Sequence, residues 1–272
     1  MHRPLLAAVA FASTLTACSM VLTLQEAKEA MAESAETARV DAFTGSVVEV
    51  TTDFTLGQAV EEAAEELRAF LASQVPCSTV TREGATVSMD FGTLDDACVW
   101  NGRTYAGIAS VTLVSAEAGR AEILHEWIGM TDGELSMDGS ATVTWEAQTA
   151  SRRVVHEVAW TNAAGDARTG SGDRTQTLID RDQGIAAGIE VNGAQEWSGP
   201  AGDWKLDIDD VQMRGQDPVP QAGLYTLWLP NGKDASLAFT RLDEDTIEVV
   251  LTGGRQEHVW HVTAAGAEYQ ES

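Results

Sequence analysis

The chain runs to 272 residues with a formal net charge of −25, 44% hydrophobic residues and three cysteines. Such acidity repels phosphate, which excludes nucleic acid as a partner, and self-repulsion favours a soluble monomer. Length and apolar content suit a single folded unit with a sizeable core.

Residues 1–17 read as a secretory signal. His2 and Arg3 precede an apolar run from Leu5 to Ala17, shorter than the roughly 20 residues that span a bilayer. The run ends in Leu15-Thr16-Ala17-Cys18, which resembles the lipobox of bacterial lipoproteins. That resemblance implies cleavage before Cys18, a diacylglyceryl group on its thiol and acylation, by palmitate for example, of the new amino terminus. Several acyl chains together anchor a protein stably. Ser19 stands where an inner-membrane retention signal would place Asp, which implies an outer-membrane lipoprotein on the periplasmic or surface face. The competing reading is an ordinary signal peptide with an incidental Cys18.

Residues 18–45 read as a lipid-anchored tether, partly helical, with Leu24, Ala27, Met31 and Ala35 near helical spacing. It would hold residues 46–272, a single β-rich domain, off the bilayer. A clearer helix is predicted over about 55–73. Thr55 and Gln58 are placed as a capping box, and Val60, Ala63, Ala64, Leu67, Phe70 and Leu71 form an apolar face opposite Glu61, Glu62, Glu65 and Glu66. Pro76 stops it. With Cys18 assigned to lipid, Cys77 and Cys98 remain as one pair, which an oxidising envelope compartment would close into a disulfide. Two free thiols, or half of a metal site, are the alternatives.

From Thr79 onward the period changes from 3.6 to 2. Asn101-Gly102, Asp132-Gly133, Asp138-Gly139, Asn192-Gly193 and Asn231-Gly232 read as hairpin turns. Between them lie strand-like runs, among them 108–114, 141–145, 153–160, 224–229, 235–241 and 246–251. Over Asp203–Asp209 acids and Lys205 alternate with Trp204, Leu206 and Ile208, the mark of a sheet with one wet and one packed face. Residues 135–139 are faintly echoed by 189–193. The predicted fold is mainly β, a large twisted antiparallel meander (open half-barrel or sandwich) with one packed N-terminal helix.

Chemistry is harder to find. Asp207 and Asp209 share a strand face at roughly 6–7 Å, but on the solvent side. His125 with Trp127, His156 with Trp160 and His258 with Trp260 sit at even offsets, so each pair shares a face. Together they could form a binding platform; the plainer account is a packing layer. Asp166 and Asp173 flank a Gly-rich stretch and are weak calcium candidates, without an EF-hand or nonapeptide motif. Serine-nucleophile and phosphate-loop motifs are missing.

The stretch from Cys77 to Val80, Thr86–Gly92, Cys98, Asn101–Gly107 and Met137–Thr144 is similar to secreted β-rich bacterial lipoproteins of unknown function. In those proteins a Cys-bearing strand, an Asp-Phe-Gly turn and a Gly-Arg-x-x-x-Gly hairpin follow a helix. The likeness spans about a quarter of the chain and implies the fold and the bridge, not an activity. The expected function is a lipid-anchored, non-catalytic binding or structural module of the cell envelope, with an envelope protein or glycan as partner and no cofactor beyond the covalent lipid. The alternatives are a carrier of a lipid or other apolar ligand in a β half-barrel, and a hydrolase with an unrecognised site.

Overall fold

Alternation of inward apolar and outward polar side chains produces strand after strand, and the computed structural model of the protein joins them in one antiparallel sheet. It describes residues 21–51, 60–100, 102–117 and 119–270. Two helices come first, α1 (Leu24–Thr51) and α2 (Val60–Gln74). The strands begin with β1 (Thr79–Glu83), β2 (Thr86–Asp90), β3 (Cys98–Trp100), β4 (Arg103–Glu117) and β5 (Arg120–Thr131). They continue with β6 (Ser136–Glu146), β7 (Ser151–Thr161), β8 (Ala167–Leu178), β9 (Ile189–Gly199) and β10 (Gly202–Met213). The last five are β11 (Ala222–Trp228), β12 (Asp234–Arg241), β13 (Ile247–Gly253), β14 (Gln256–Thr263) and β15 (Gly266–Gln270).

The sheet is a meander in chain order, except that β3 pairs only with the start of β4. Its core lies on one face. Val111, His125, Ala141, His156, Gly172, Gln195 and Leu206 oppose one another in register from β4 to β10, and all are buried. Their neighbours along each strand point to water. One layer of sheet is therefore packed inside and wet outside, which is the half-barrel and not the sandwich. Turns 132–135, 162–166, 200–201 and 229–233 gather at one end of this half-barrel. Connections 147–150, 179–188 and 214–221 gather at the other.

The α2 stripe reads as expected: Ala63, Ala64, Leu67 and Leu71 are buried, and the helix lies on β1, β2 and β4. Its proposed cap, Thr55 and Gln58, lies outside the described residues. Cys77 and Cys98 are joined in a disulfide that ties the exit of α2 to β3, with 5.2 Å between their Cα atoms.

Three readings change. The helical part of segment 18–45 is not a free spacer but a packed element, and the helix continues across the boundary placed at 45/46. Its expected stripe is also rotated: Leu24 and Ala35 are exposed, while Ala27, Ala30, Thr37 and Val40 are buried. Asp138-Gly139 and Asn192-Gly193 lie inside β6 and β9, not at turns. A Cβ at Gly139 would meet the Glu157 carbonyl oxygen at 2.4 Å, and Gly193 takes φ 145° beside Asp173. Both flank β-bulges, where Asp138 accepts a hydrogen bond from Gly129 N and Asn192 from Asp210 N. Glycine there lets the sheet coil tightly. The echo between 135–139 and 189–193 is thus a repeated bulge device.

Candidate ligand-binding cavity

The site is built around α1. Thr23 and Glu26 close a capping box, with Thr23 N donating to Glu26 Oε2 at 2.8 Å and Glu26 N to Thr23 Oγ1 at 3.2 Å. Leu22, fully buried, lies so close to Gly253 that any Cβ there would overlap it. From that pin the helix crosses the end of the sheet that carries turns 132–135 through 229–233. Ion pairs fix it at intervals: Glu26 to Lys233 at 2.7 Å, Glu33 and Glu36 to Arg168 at 2.8 and 2.9 Å, and Arg39 to Asp132 and Glu134 at 2.8 Å each. Lys233 and Thr23 together hold the Glu26 carboxyl down to about 2. Asp41 receives two hydrogen bonds from Arg174, at 2.7 and 3.1 Å.

The inner face of this strap is small and polar: Ala27, Ala30, Ser34, Thr37 and Asp41. Small side chains on the helix and a coiled sheet opposite leave space between them. The result is a cavity of about 790 Å³, lined from β4 round to β11 as well as by α1. A sheet whose β4 and β11 reach one cavity must curl strongly, as the bulges require. Trp127, Val154, Val191, Trp197, Leu206 and Ile208 supply apolar walls. Met213, Arg214 and Gly215 border the space at the end opposite the ion pairs to turns 132–135 and 229–233.

The cavity's charge opposes that of the chain. Among the described residues, four guanidinium groups line it (Arg103, Arg152, Arg174 and Arg214) against one carboxylate, Asp41; Arg174 is paired with Asp41, and Arg214 with Asp217 just outside the lining. Arg152 is buried, donates to Gln176 Oε1 at 2.5 Å and lies 5.9 Å from the Trp145 ring centre. Burial, with Arg174 beside it, pushes the His156 pKa down to about 4, against a smaller opposing effect of Asp41. Burial and Arg152 push His125 to about 3. Both imidazoles are therefore neutral at pH 7. Arg174 Nη2 donates to His156 Nδ1 at 3.5 Å, which fixes the His156 proton on Nε2. Burial, with Asp41 next, raises the Tyr225 hydroxyl well above its ordinary value.

Ser34, His156 and Asp41 share this cavity, yet the arrangement is not a hydrolytic relay. A relay needs a carboxylate on the imidazole Nδ1–H, and here a guanidinium occupies that side. An imidazole titrating near 4 is also a weak base at neutral pH.

Of the paired residues singled out in sequence, all six are buried, and Trp127 and His156 reach the cavity. His125 stacks against Trp127 at 6.2 Å between ring centres. Trp160 donates to Glu36 under the strap at 3.4 Å. His258 and Trp260 pack with Tyr269, away from the cavity. Asp207 lies on the outer face, 3.4 Å from Lys205, and Asp209 is exposed there. The Gly-rich calcium candidate is the strand β8, not a loop. Asp166 lies in the turn before it and Asp173 within it, about 23 Å apart along extended chain, and Arg153 binds Asp173. Gly172 lies beneath the His156 ring, and Gly170 beneath Trp160. Ser34, Arg152, Arg174, Gln195 and Trp197 were not marked by sequence. Their signal was present only in register: Arg152 and Gln195 stand at inward positions among Val154, Val158, Val191 and Trp197, and Arg174 shares the inward face of β8 with Arg168, Gly172 and Gln176.

Comparison with protein-family models, with curated proteins and with solved structures finds no match for the chain. Among the described residues no helix is long and apolar enough to cross a membrane, and no group of three or more His, Cys, Asp or Glu side chains is placed to hold a metal ion.

Proposed function

We propose that this is a lipid-anchored envelope protein that holds a small amphipathic molecule between α1 and the concave face of its half-barrel. The observation that carries the reading is the cavity: about 790 Å³, with Trp, Val, Leu and Ile walls and a few inward polar groups. Ligand sites have that volume and that mixture of apolar wall and placed polar atoms. Binding through an exposed aromatic platform receives no comparable support, because the Trp and His pairs are buried.

The lipid reading of Cys18 adds an orientation. Cys18 lies four residues before Leu22, a reach of at most about 14 Å. An acyl anchor there would hold the strapped end of the half-barrel close to the bilayer and turn the Met213–Gly215 end away from it. Cys18→Ser should release the protein from membranes; unchanged membrane association removes the anchor from the proposal.

The cavity is tested by titrating the full chain from residue 18, carrying Cys18→Ser so that no covalent acyl chain competes, with neutral N-phenyl-1-naphthylamine. Saturable one-to-one binding is expected, abolished when Leu206→Trp fills the space. Binding that never saturates, or that Leu206→Trp leaves intact in a folded protein, overturns the proposal.

A further inference from the structure

Five side chains lining the cavity carry a buried polar atom with no hydrogen-bond partner: Ser34 Oγ, Trp127 Nε1, His156 Nε2, Arg174 Nε and Gln195 Oε1. Trp127, His156 and Gln195 are more than nine-tenths buried. A buried donor without an acceptor costs free energy, so a cluster of them marks a place where something else supplies the acceptors. Their kinds are unequal. The indole and guanidinium nitrogens only donate, and His156 joins them because Arg174 has taken its Nδ1 lone pair. The serine hydroxyl does either. Gln195 alone offers an acceptor.

Resting on the ligand-holding reading above, we propose that the bound molecule is an amphipathic anion whose carboxylate or phosphate head is seated on Trp127, His156, Arg174 and Ser34, with its apolar body along Trp197, Leu206 and Ile208. Three donors and a hydroxyl lining one cavity suit the several lone pairs of an anionic oxygen head. Arg103 and Arg152, with the Asp41-bound Arg174, compensate its charge in a chain whose formal net charge is −25. A wholly apolar ligand would leave those donors unserved, and a cation would meet donors in place of acceptors. Arg174 is held in place from the strap by Asp41, so the seat exists only while α1 is docked.

The test is displacement of N-phenyl-1-naphthylamine from the Cys18→Ser chain by dodecanoate, dodecyl phosphate, methyl dodecanoate and dodecanol. These share one apolar body and differ in the head. At least one anion is expected to displace the probe at a concentration about ten-fold or more below that of the ester, since a charge-assisted hydrogen bond contributes that much. Which of the two anions is stronger distinguishes a carboxylate from a phosphate source. Trp127→Phe keeps an aromatic ring in the wall, removes one donor and should cut the anion's advantage over the ester severalfold, whatever the smaller ring does to both; Ser34→Ala on the helix serves as a second, gentler variant. Equal displacement by anion, ester and alcohol overturns the head-group assignment and leaves the cavity reading standing. Failure of the probe itself to bind overturns both.

Discussion

The two helices of this protein are attached to the same sheet by opposite means. α2 presents Ala63, Ala64, Leu67 and Leu71 and is held by burying them. α1 presents alanines, hydroxyls and acids over most of its described length, with Val40 and Phe43 buried further on, and is gripped by Lys233, Arg168 and Arg174 reaching up from the sheet. An apolar stripe fills its groove and leaves no room. A row of Ala, Ser, Thr and Asp leaves a cavity between the helix and the sheet. One helix thus closes the packed core and the other roofs the cavity.

The largest expected effect lies with α2. Leu67→Ala or Leu71→Ala, each at a fully buried site, should cost about 2–5 kcal/mol and lower a single unfolding transition. Probe binding per folded molecule should stay unchanged, as read by titration well below the new midpoint. Lost binding with an unmoved midpoint would reverse the roles given to the two helices.

Next comes the middle of α1. Arg168→Met removes the cation between Glu33 and Glu36, two acids that are themselves largely buried. The expected cost is about 1–3 kcal/mol, below that of a fully sequestered pair because the strap can lift and return its acids to water. The strap and not the sheet should respond: amide exchange along α1 accelerates while that of α2 does not, and probe affinity falls. Equal acceleration in both helices would show that α1 is part of one cooperative core.

Acidification probes the covered face chemically. His156, which meets Arg174 and Asp41, and His125, which meets Arg152, are both depressed below 6.5. Between that value and the folded one the unfolded chain binds a proton that the native chain does not, so stability is complete above about pH 6.5 and falls with pH. The loss continues to about 4 for His156 and about 3 for His125, at up to about 1.4 kcal/mol per pH unit for each. Denaturant midpoints across pH 7 to 4 should show this slope, and His125→Phe should flatten it. A flat wild-type profile would mean that neither imidazole is held neutral.

How much of this was legible in sequence follows the same division. Period-2 alternation from Thr79 and the Leu67/Leu71 stripe are strong signals because burial of large apolar residues writes them, and sheet and α2 stand where they pointed. The Cys77–Cys98 bridge was readable from cysteine number. α1 was not, since ion pairs with residues 93 to 207 positions away leave no local period. Thr23 and Glu26 did mark its start, four residues beyond the N-terminal segment that absorbed the reading. Gly139 and Gly193 looked like turns because glycine also serves coiled strands, where the need comes from a neighbouring strand. The cavity residues became visible only through pairing register, which lines up His156, Gly172 and Gln195 across three strands.

The smallest effect is also the most discriminating for how the strap is held. Arg39 is half exposed where it binds Asp132 and Glu134, so its pairs contribute about 0–1 kcal/mol and are screened by salt. Arg39→Gln should therefore leave the unfolding midpoint almost unmoved. If α1 is fastened pair by pair, the amides around Arg39 will nonetheless exchange faster in the variant, and raising ionic strength will do the same to the wild type. α2, held mainly by apolar burial and with only the exposed Glu65–Arg82 pair to the sheet, should change far less. Identical exchange in variant and wild type at both salt levels would mean that Val40 and Phe43, buried just beyond, already hold that end of the helix. The ion pairs would then set only where along the sheet the strap lies, with apolar burial fastening it as in α2.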